Sequence, residues 1–182
     1  MSLWSKVKRA WLVHVAKPVG ETFIYRAACD RPVKRVMEIG VGTGERTLKL
    51  IKLLSEMTPV AELAYFGVDL FEGREMSGME PGMSLKEMHR VLKATGCRVQ
   101  LIPGDPFAAL ARTANTIQQL DLVVINAEQQ GDSLERAWFY LPRMLAPTAR
   151  IIVEDAQVKE GFRILSATEL RERTAPPRRR AA

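Results

Sequence analysis

Cysteine and histidine are scarce in this sequence, with two of each among 182 residues. Cys29 and Cys97 have neither paired spacing nor a companion histidine cluster, so neither a disulfide framework nor a zinc site is expected. No stretch approaches the roughly 20 consecutive apolar residues of a membrane span, and the apolar run near the start is interrupted by Lys6, Lys8, Arg9, His14 and Lys17. The expectation is a soluble, cytoplasmic protein with no membrane partner. His14 and His89 each fall in an expected helix, away from the strand ends, and read as surface or packing residues rather than general bases. Aromatic residues make up 7% of the chain, and nowhere do they interleave with basic residues into the stacking platform that single-stranded nucleic acids use.

What is present suits one globular domain, since 47% of the residues are hydrophobic and 26% charged. The net charge of +6 is unevenly spread. Residues 1–35 carry eight Lys/Arg against Glu21 and Asp30, and residues 171–182 carry five Arg against Glu172. Between 36 and 170 the balance reverses, with 14 basic and 18 acidic residues. A basic surplus confined to two ends is that of a solvated helix face and a frayed tail, so nucleic acid is not an expected partner. The organisation read from this is an N-terminal capping helix over 1–20, a main domain over 21–170 and a disordered basic tail over 171–182.

Leu3, Trp4, Val7, Trp11 and Val15 recur at helical spacing, and Pro18 and Gly20 end that pattern. From Val33 onward strands and helices alternate. Strands are expected at Arg35–Ile39, Leu63–Val68, Arg98–Ile102, Leu120–Ile125 and Ala149–Glu154. Helices are expected over Thr43–Met57, near Ser84–Thr95, just after Pro106, and over Ser133–Met144. Short apolar strands separated by helices imply parallel crossovers, hence an α/β doubly wound sheet with helices on both faces. The stretch from Leu70 to Met83 is too glycine-rich and irregular for either element; following a strand's carboxyl end, it is a candidate lid or substrate wall.

The most informative stretch is Val36-Met-Glu-Ile-Gly-Val-Gly-Thr-Gly-Glu-Arg46, a strand entering a glycine turn and then a helix. Gly40 and Gly42 allow a tight turn and close ligand approach, and amides at the helix start favour an anion. The dinucleotide fingerprint would need glycine at position 45, where this chain has Glu45. Glycine falls at 44 instead.

The arrangement Glu38-x-Gly40-x-Gly42-x-Gly44 resembles motif I of the class I S-adenosylmethionine-dependent methyltransferases, and the resemblance extends over residues 33–156. It implies a Rossmann-like fold, S-adenosylmethionine as cofactor, and a cofactor site built from Glu38, Gly40, Gly42, Thr43, Gly44, Asp69, Leu70, Gly104, Asp105 and Asn126. Phe66-Gly-Val-Asp69 matches the strand end whose acid accepts hydrogen bonds from both ribose hydroxyls. A carboxylate suits a vicinal diol because it offers two acceptor oxygens. Ile102-Pro-Gly-Asp-Pro106 is similar to the family's Gly-Asp turn, whose acid commonly receives the adenine amino group; Asp105 before Pro106 is equally a natural helix N-cap. Asp121-Leu-Val-Val-Ile-Asn126 and Arg150-Ile-Ile-Val-Glu-Asp155 follow in the family's order. With the helix at Ser133–Leu145 they look like small bacterial sugar and catechol O-methyltransferase relatives.

Methyl transfer needs an acceptor lone pair held in line with the sulfonium carbon. The candidate catalytic acids are Glu128, Glu154 and Asp155, after the fourth and fifth strands. Resembling enzymes use acids here to hold a divalent metal that activates a hydroxyl; with Asn126 in an aspartate position, the metal is the less favoured version. The expected activity is methylation of a small molecule at oxygen, the alternative a non-catalytic module that binds S-adenosylmethionine. After Asp155 the chain is short for the family's usual ending. Only Ala156–Glu160 separate the fifth strand from Phe162–Leu165, too few for a parallel crossover. Phe162–Leu165 is therefore expected to lie antiparallel to Ile151–Glu154, in the place the family gives its antiparallel strand, and the resemblance implies sheet order 3-2-1-4-5-6. Ser166-x-x-Glu169 reads as a capping box opening a last helix. A short edge of this kind makes a homodimer an expected partner arrangement.

Overall fold

Alternation along the strands decides the architecture. Val36, Tyr65, Leu122, Val124 and Ile152 are buried in one apolar cluster, while Met37, Ile39, Phe66, Val68, Val123, Ile125, Ile151 and Val153 are buried in a second. Successive side chains of a strand point to opposite faces, so the two clusters are the two faces of a single sheet. The structure, a computed structural model, describes residues 19–159 and 161–174. The helix expected within 1–20 and most of the basic tail lie outside them.

The sheet comprises β1 (Arg35–Ile39), β2 (Ala64–Asp69), β3 (Arg98–Pro103), β4 (Leu120–Ile125), β5 (Leu145–Glu154) and β6 (Phe162–Ile164). Their order is β3-β2-β1-β4-β5-β6, parallel except for β6. β6 pairs antiparallel with β5 through Ile152↔Ile164, Val153↔Arg163 and Glu154↔Phe162, the expected hairpin-like return. The Leu165 amide donates to the Ile151 carbonyl at 2.8 Å. Helix α1 (Val19–Cys29), α2 (Glu45–Ser55) and α3 (Leu85–Lys93) supply Ile24, Leu50, Leu54, Met88 and Leu92 to the first cluster. Helix α4 (Pro106–Thr113), α5 (Asp132–Ala137) and α6 (Leu141–Met144) cover the opposite face with Leu110, Leu134, Ala137, Leu141 and Met144. A final helix, α7 (Ala167–Thr174), begins at the expected capping box: the Ser166 amide donates to Glu169 Oε2 at 2.9 Å and the Glu169 amide to Ser166 Oγ at 3.2 Å.

Two boundaries differ from the sequence expectation for local reasons. The helix expected over Ser133–Met144 is broken into α5 and α6. Pro142 has no amide to continue an i→i−4 ladder and its ring crowds the preceding turn. β5 starts earlier than Ala149, because Leu145 pairs with Leu120 across a register irregularity before regular pairing resumes at Leu122↔Arg150. Within the segment from Leu70 to Met83 there are short 3₁₀ turns at Phe71–Gly73 and Glu75–Ser77. Among the described residues, no helix is long and apolar enough to cross a membrane.

Candidate functional site

The carboxyl ends of β1, β2 and β4 are tied together beyond the regular strands. The Gly40 amide donates to the Val68 carbonyl at 2.8 Å, the Asn126 amide to Ile39 at 2.9 Å, and the Gly104 amide to Asp69 at 2.9 Å. These bonds fix the floor of a site where the sequence places its motifs. Gly40 has φ of +93°, and a Cβ there would lie 2.8 Å from both Asn126 Cβ and Gln129 Cγ. Only glycine meets both demands, the positive φ and the close approach of the turn after β4.

Asp69, the last residue of β2, is 1% exposed. Its Oδ2 accepts the Val41 and Gly42 amides at 2.7 and 2.9 Å, and its Oδ1 accepts the Phe71 amide at 3.2 Å. Arg74 completes the set, donating from Nη1 to Oδ1 at 2.9 Å and to Oδ2 at 2.8 Å. Burial works to raise the Asp69 pKa, but the Gly42 amide and the Arg74 guanidinium outweigh it, and the carboxyl is held below its ordinary value. Arg74 is itself 2% exposed. Its Nη2 donates to Glu128 at 2.6 Å and its Nε to the Glu80 carbonyl at 2.8 Å.

Glu38, expected at the cofactor, lies beneath the turn, with protein partners on both carboxylate oxygens. It is fully buried, and its carboxylate accepts from Arg46 Nε at 2.9 Å, from the Tyr65 hydroxyl at 2.8 Å and from the Thr47 hydroxyl. Arg46 also donates to the Gly40 carbonyl at 3.2 Å. Glu38 thereby ties the first turn of α2 to β1, β2 and the glycine loop. Burial and the neighbouring Glu38 push the Tyr65 phenol well above its ordinary range, so that hydroxyl stays neutral and donates to Glu38.

Of the remaining expected residues, Gly42 and Gly44 shape the turn with φ of +59° and +75°, and Thr43 is exposed between them. Leu70 caps the 3₁₀ turn after β2. Asp105 follows Gly104 and is the N-cap of α4, its Oδ1 accepting the Ala108 amide at 3.1 Å and the Ser133 hydroxyl. Asn126 donates from Nδ2 to the Gly40 carbonyl, while its buried Oδ1 has no hydrogen-bond partner among the described residues. The three acids are divided. Glu128 holds Arg74, and Asp155 pairs with Arg163 at 2.9 Å. Glu154 accepts the Ala127 amide at 3.0 Å and pairs with no cation among the described residues. Glu154 and Asp155, but not Glu128, line a cavity of about 370 Å³ that is also walled by Trp138, Leu134, Arg163 and Arg173.

The less favoured metal-dependent version would use Glu128, Glu154, Asp155 and Asn126 as one ligand set. No group of three or more His, Cys, Asp or Glu among the described residues is arranged to hold a metal ion. The physical reason is that Arg74 and Arg163 already neutralise two of the acids and Gly40 takes the amide. Sequence reasoning missed Arg74 and Gln129, both buried at the site. The one available signal for Arg74 was a cation five residues beyond a strand-end acid.

No family model matches the sequence, and no curated protein matches it. Solved structures do. The S-adenosylhomocysteine-bound methyltransferase PaMTH1 of Podospora anserina is similar with a TM-score of 0.51 at 14% identity, over 85% of this chain and 62% of that one. The glycopeptide N-methyltransferase MtfA, complexed with S-adenosylmethionine, is similar with a TM-score of 0.50 at 16% identity, over 76% of this chain and 54% of that one. This chain thus spans less than two thirds of the length of either. Strand order, the antiparallel sixth strand and these likenesses define a Rossmann-like methyltransferase fold.

Proposed function

We propose that this chain binds S-adenosylmethionine across Gly40–Gly44, Asp69 and Asn126 and transfers its methyl group to a hydroxyl of a small molecule. The observation that carries the reading is Asp69, a carboxylate at the end of β2 anchored by the glycine-turn amides. Two of its acceptor positions are taken by a side chain, Arg74, rather than by backbone. The residues fit the cofactor in a second respect: Asn126 Oδ1, buried and unpartnered next to Gly40, is an acceptor for an ammonium group such as the cofactor's methionine end carries. When bound, the cofactor supplies an electrophilic methyl carbon on a sulfonium.

The chain's own work is to orient the acceptor and take its proton. The cavity beside the ends of β4 and β5 offers an aromatic wall, Trp138, and carboxylates. Glu154 is the group suited to be the base, because the Gln157 amide and, after it, Arg163 hold the Asp155 pKa below its ordinary value, and Glu128 is committed to Arg74. Gly104 and Asp105 border the site at the third strand end. The edge strand β6, three residues long, is the surface through which a homodimer would form.

Calorimetry with S-adenosylhomocysteine tests the cofactor directly, and the expected result is saturable one-to-one binding. Absence of binding by folded protein would overturn the reading. Once an acceptor is in hand, Glu154→Gln should lower kcat about 100-fold with little change in cofactor affinity, the scale of a general base. Binding without turnover across hydroxyl-bearing acceptors would favour the non-catalytic module.

A further inference from the structure

The acceptor capacity of Asp69 is already spent. An ionised carboxylate offers about four lone-pair sites, and Asp69 receives three backbone amides and two contacts from Arg74. The amides belong to the loop architecture, so the only donor that can leave without dismantling the fold is Arg74. The guanidinium is held in place from its own side. Glu80 takes Nε through its carbonyl and Glu128 takes Nη2, and the segment continues over the glycine turn, where the Met83 amide donates to the Gly42 carbonyl at 3.2 Å. Gly82 lies so close that a Cβ would be 2.8 Å from Arg74 Cδ and 3.0 Å from the Gly42 carbonyl oxygen. The segment enters this path through Phe71, a bulky residue with φ of +50°, a conformation that costs energy and relaxes if the segment leaves.

Resting on the cofactor reading above, we propose that Arg74 is a resident competitor for the diol-binding carboxylate, and that segment 70–83 is a strap which must peel from the glycine turn before a ribose can bind. The two donor contacts from one guanidinium nitrogen replace, on the same two oxygens, the pair of hydroxyl donors that a vicinal diol would bring. Arg74 therefore sets cofactor affinity without touching the cofactor: the apparent affinity is the intrinsic one multiplied by the fraction of molecules in which the guanidinium has left Asp69. Glu128, on the turn after β4 and partly exposed, retains the freed guanidinium, so its charge is not stranded on release.

The test is calorimetric titration of the full chain with S-adenosylhomocysteine in three forms: wild type, Arg74→Met and Gly82→Val. Arg74→Met removes the competitor and leaves Asp69 short of donors, so it should bind at least about 10-fold tighter, the scale of a charged hydrogen bond. Gly82→Val crowds Arg74 Cδ and Nε and the Gly42 carbonyl, pushing the strap and its guanidinium outward without touching the core, and should bind several-fold tighter; it decides the matter if Arg74→Met fails to fold. In the wild type, the Met83 amide should exchange with solvent faster when ligand is saturating. Equal or weaker affinity in the folded variants, or unchanged exchange at Met83, overturns the competitor and leaves the cofactor reading standing. No binding by any of the three, each with native circular dichroism, overturns the cofactor reading and the competitor with it.

Discussion

Asp69→Ala is expected to lower the stability of the fold by about 3 to 5 kcal/mol and to abolish S-adenosylmethionine binding. The stability loss follows from what the substitution leaves behind: Arg74, 2% exposed, would keep only Glu128, itself partly exposed, as an anionic partner, and removing one member of a buried ion pair costs that much. The Val41 and Gly42 amides would also lose their shared acceptor. Urea unfolding is the measurement, with the slope m expected to be unchanged because the same surface is exposed. Asp69→Asn keeps an acceptor and should lose less. The pH dependence has a definite sign. The folded-state pKa of Asp69 is depressed below 3.8, so its stabilisation is complete above the unfolded value and is lost as pH falls through the folded one. The acid limb of the wild-type stability curve should therefore be steeper than that of Asp69→Asn.

The second large effect is expected at Glu38, and it separates stability from binding. Glu38→Ala removes a fully buried carboxylate that holds Arg46, Thr47 and Tyr65 at once. A loss of about 3 kcal/mol or more is expected, since a part-buried guanidinium and two hydroxyls lose their acceptor together. Glu38→Gln retains the shape and one acceptor oxygen, so it should fold with a smaller penalty and bind S-adenosylhomocysteine within a few-fold of wild type. Loss of binding in folded Glu38→Gln, with stability little changed, would restore Glu38 to the cofactor site.

That contrast shows where the sequence could be read and where it could not. The antiparallel β6 was legible because a five-residue connector is too short for a parallel crossover, and the order of strands was what the motif resemblance implied. The orientation of Glu38 was legible in principle: two residues from Val36, it shares that residue's face of β1, toward α2 rather than along the strand end. The motif resemblance drew attention to the glycine turn instead. Asp105 fills the N-cap role that its place before Pro106 allows. Arg74 was beyond reach, because an irregular segment has no period and nothing local says which strand end its side chain will return to. The same holds for the acids, whose partners, Arg74 for Glu128 and Arg163 for Asp155, come from other elements. Pro142 alone carried a readable warning that the helix over Ser133–Met144 would break.

The sheet's outer strand β3 bears on how this protein behaves at high concentration. Among the described residues its far edge pairs with no strand, and an open edge of that kind can template fibril growth. Arg98 and Gln100 are exposed along that strand and Pro103 closes it. A charge near one end and a residue without an amide at the other interrupt the continuous ladder that a second molecule would need. Replacing both at once, with valine at 98 and 103, would turn a blunted margin into a six-residue adhesive one, and turbidity on concentration would reveal it.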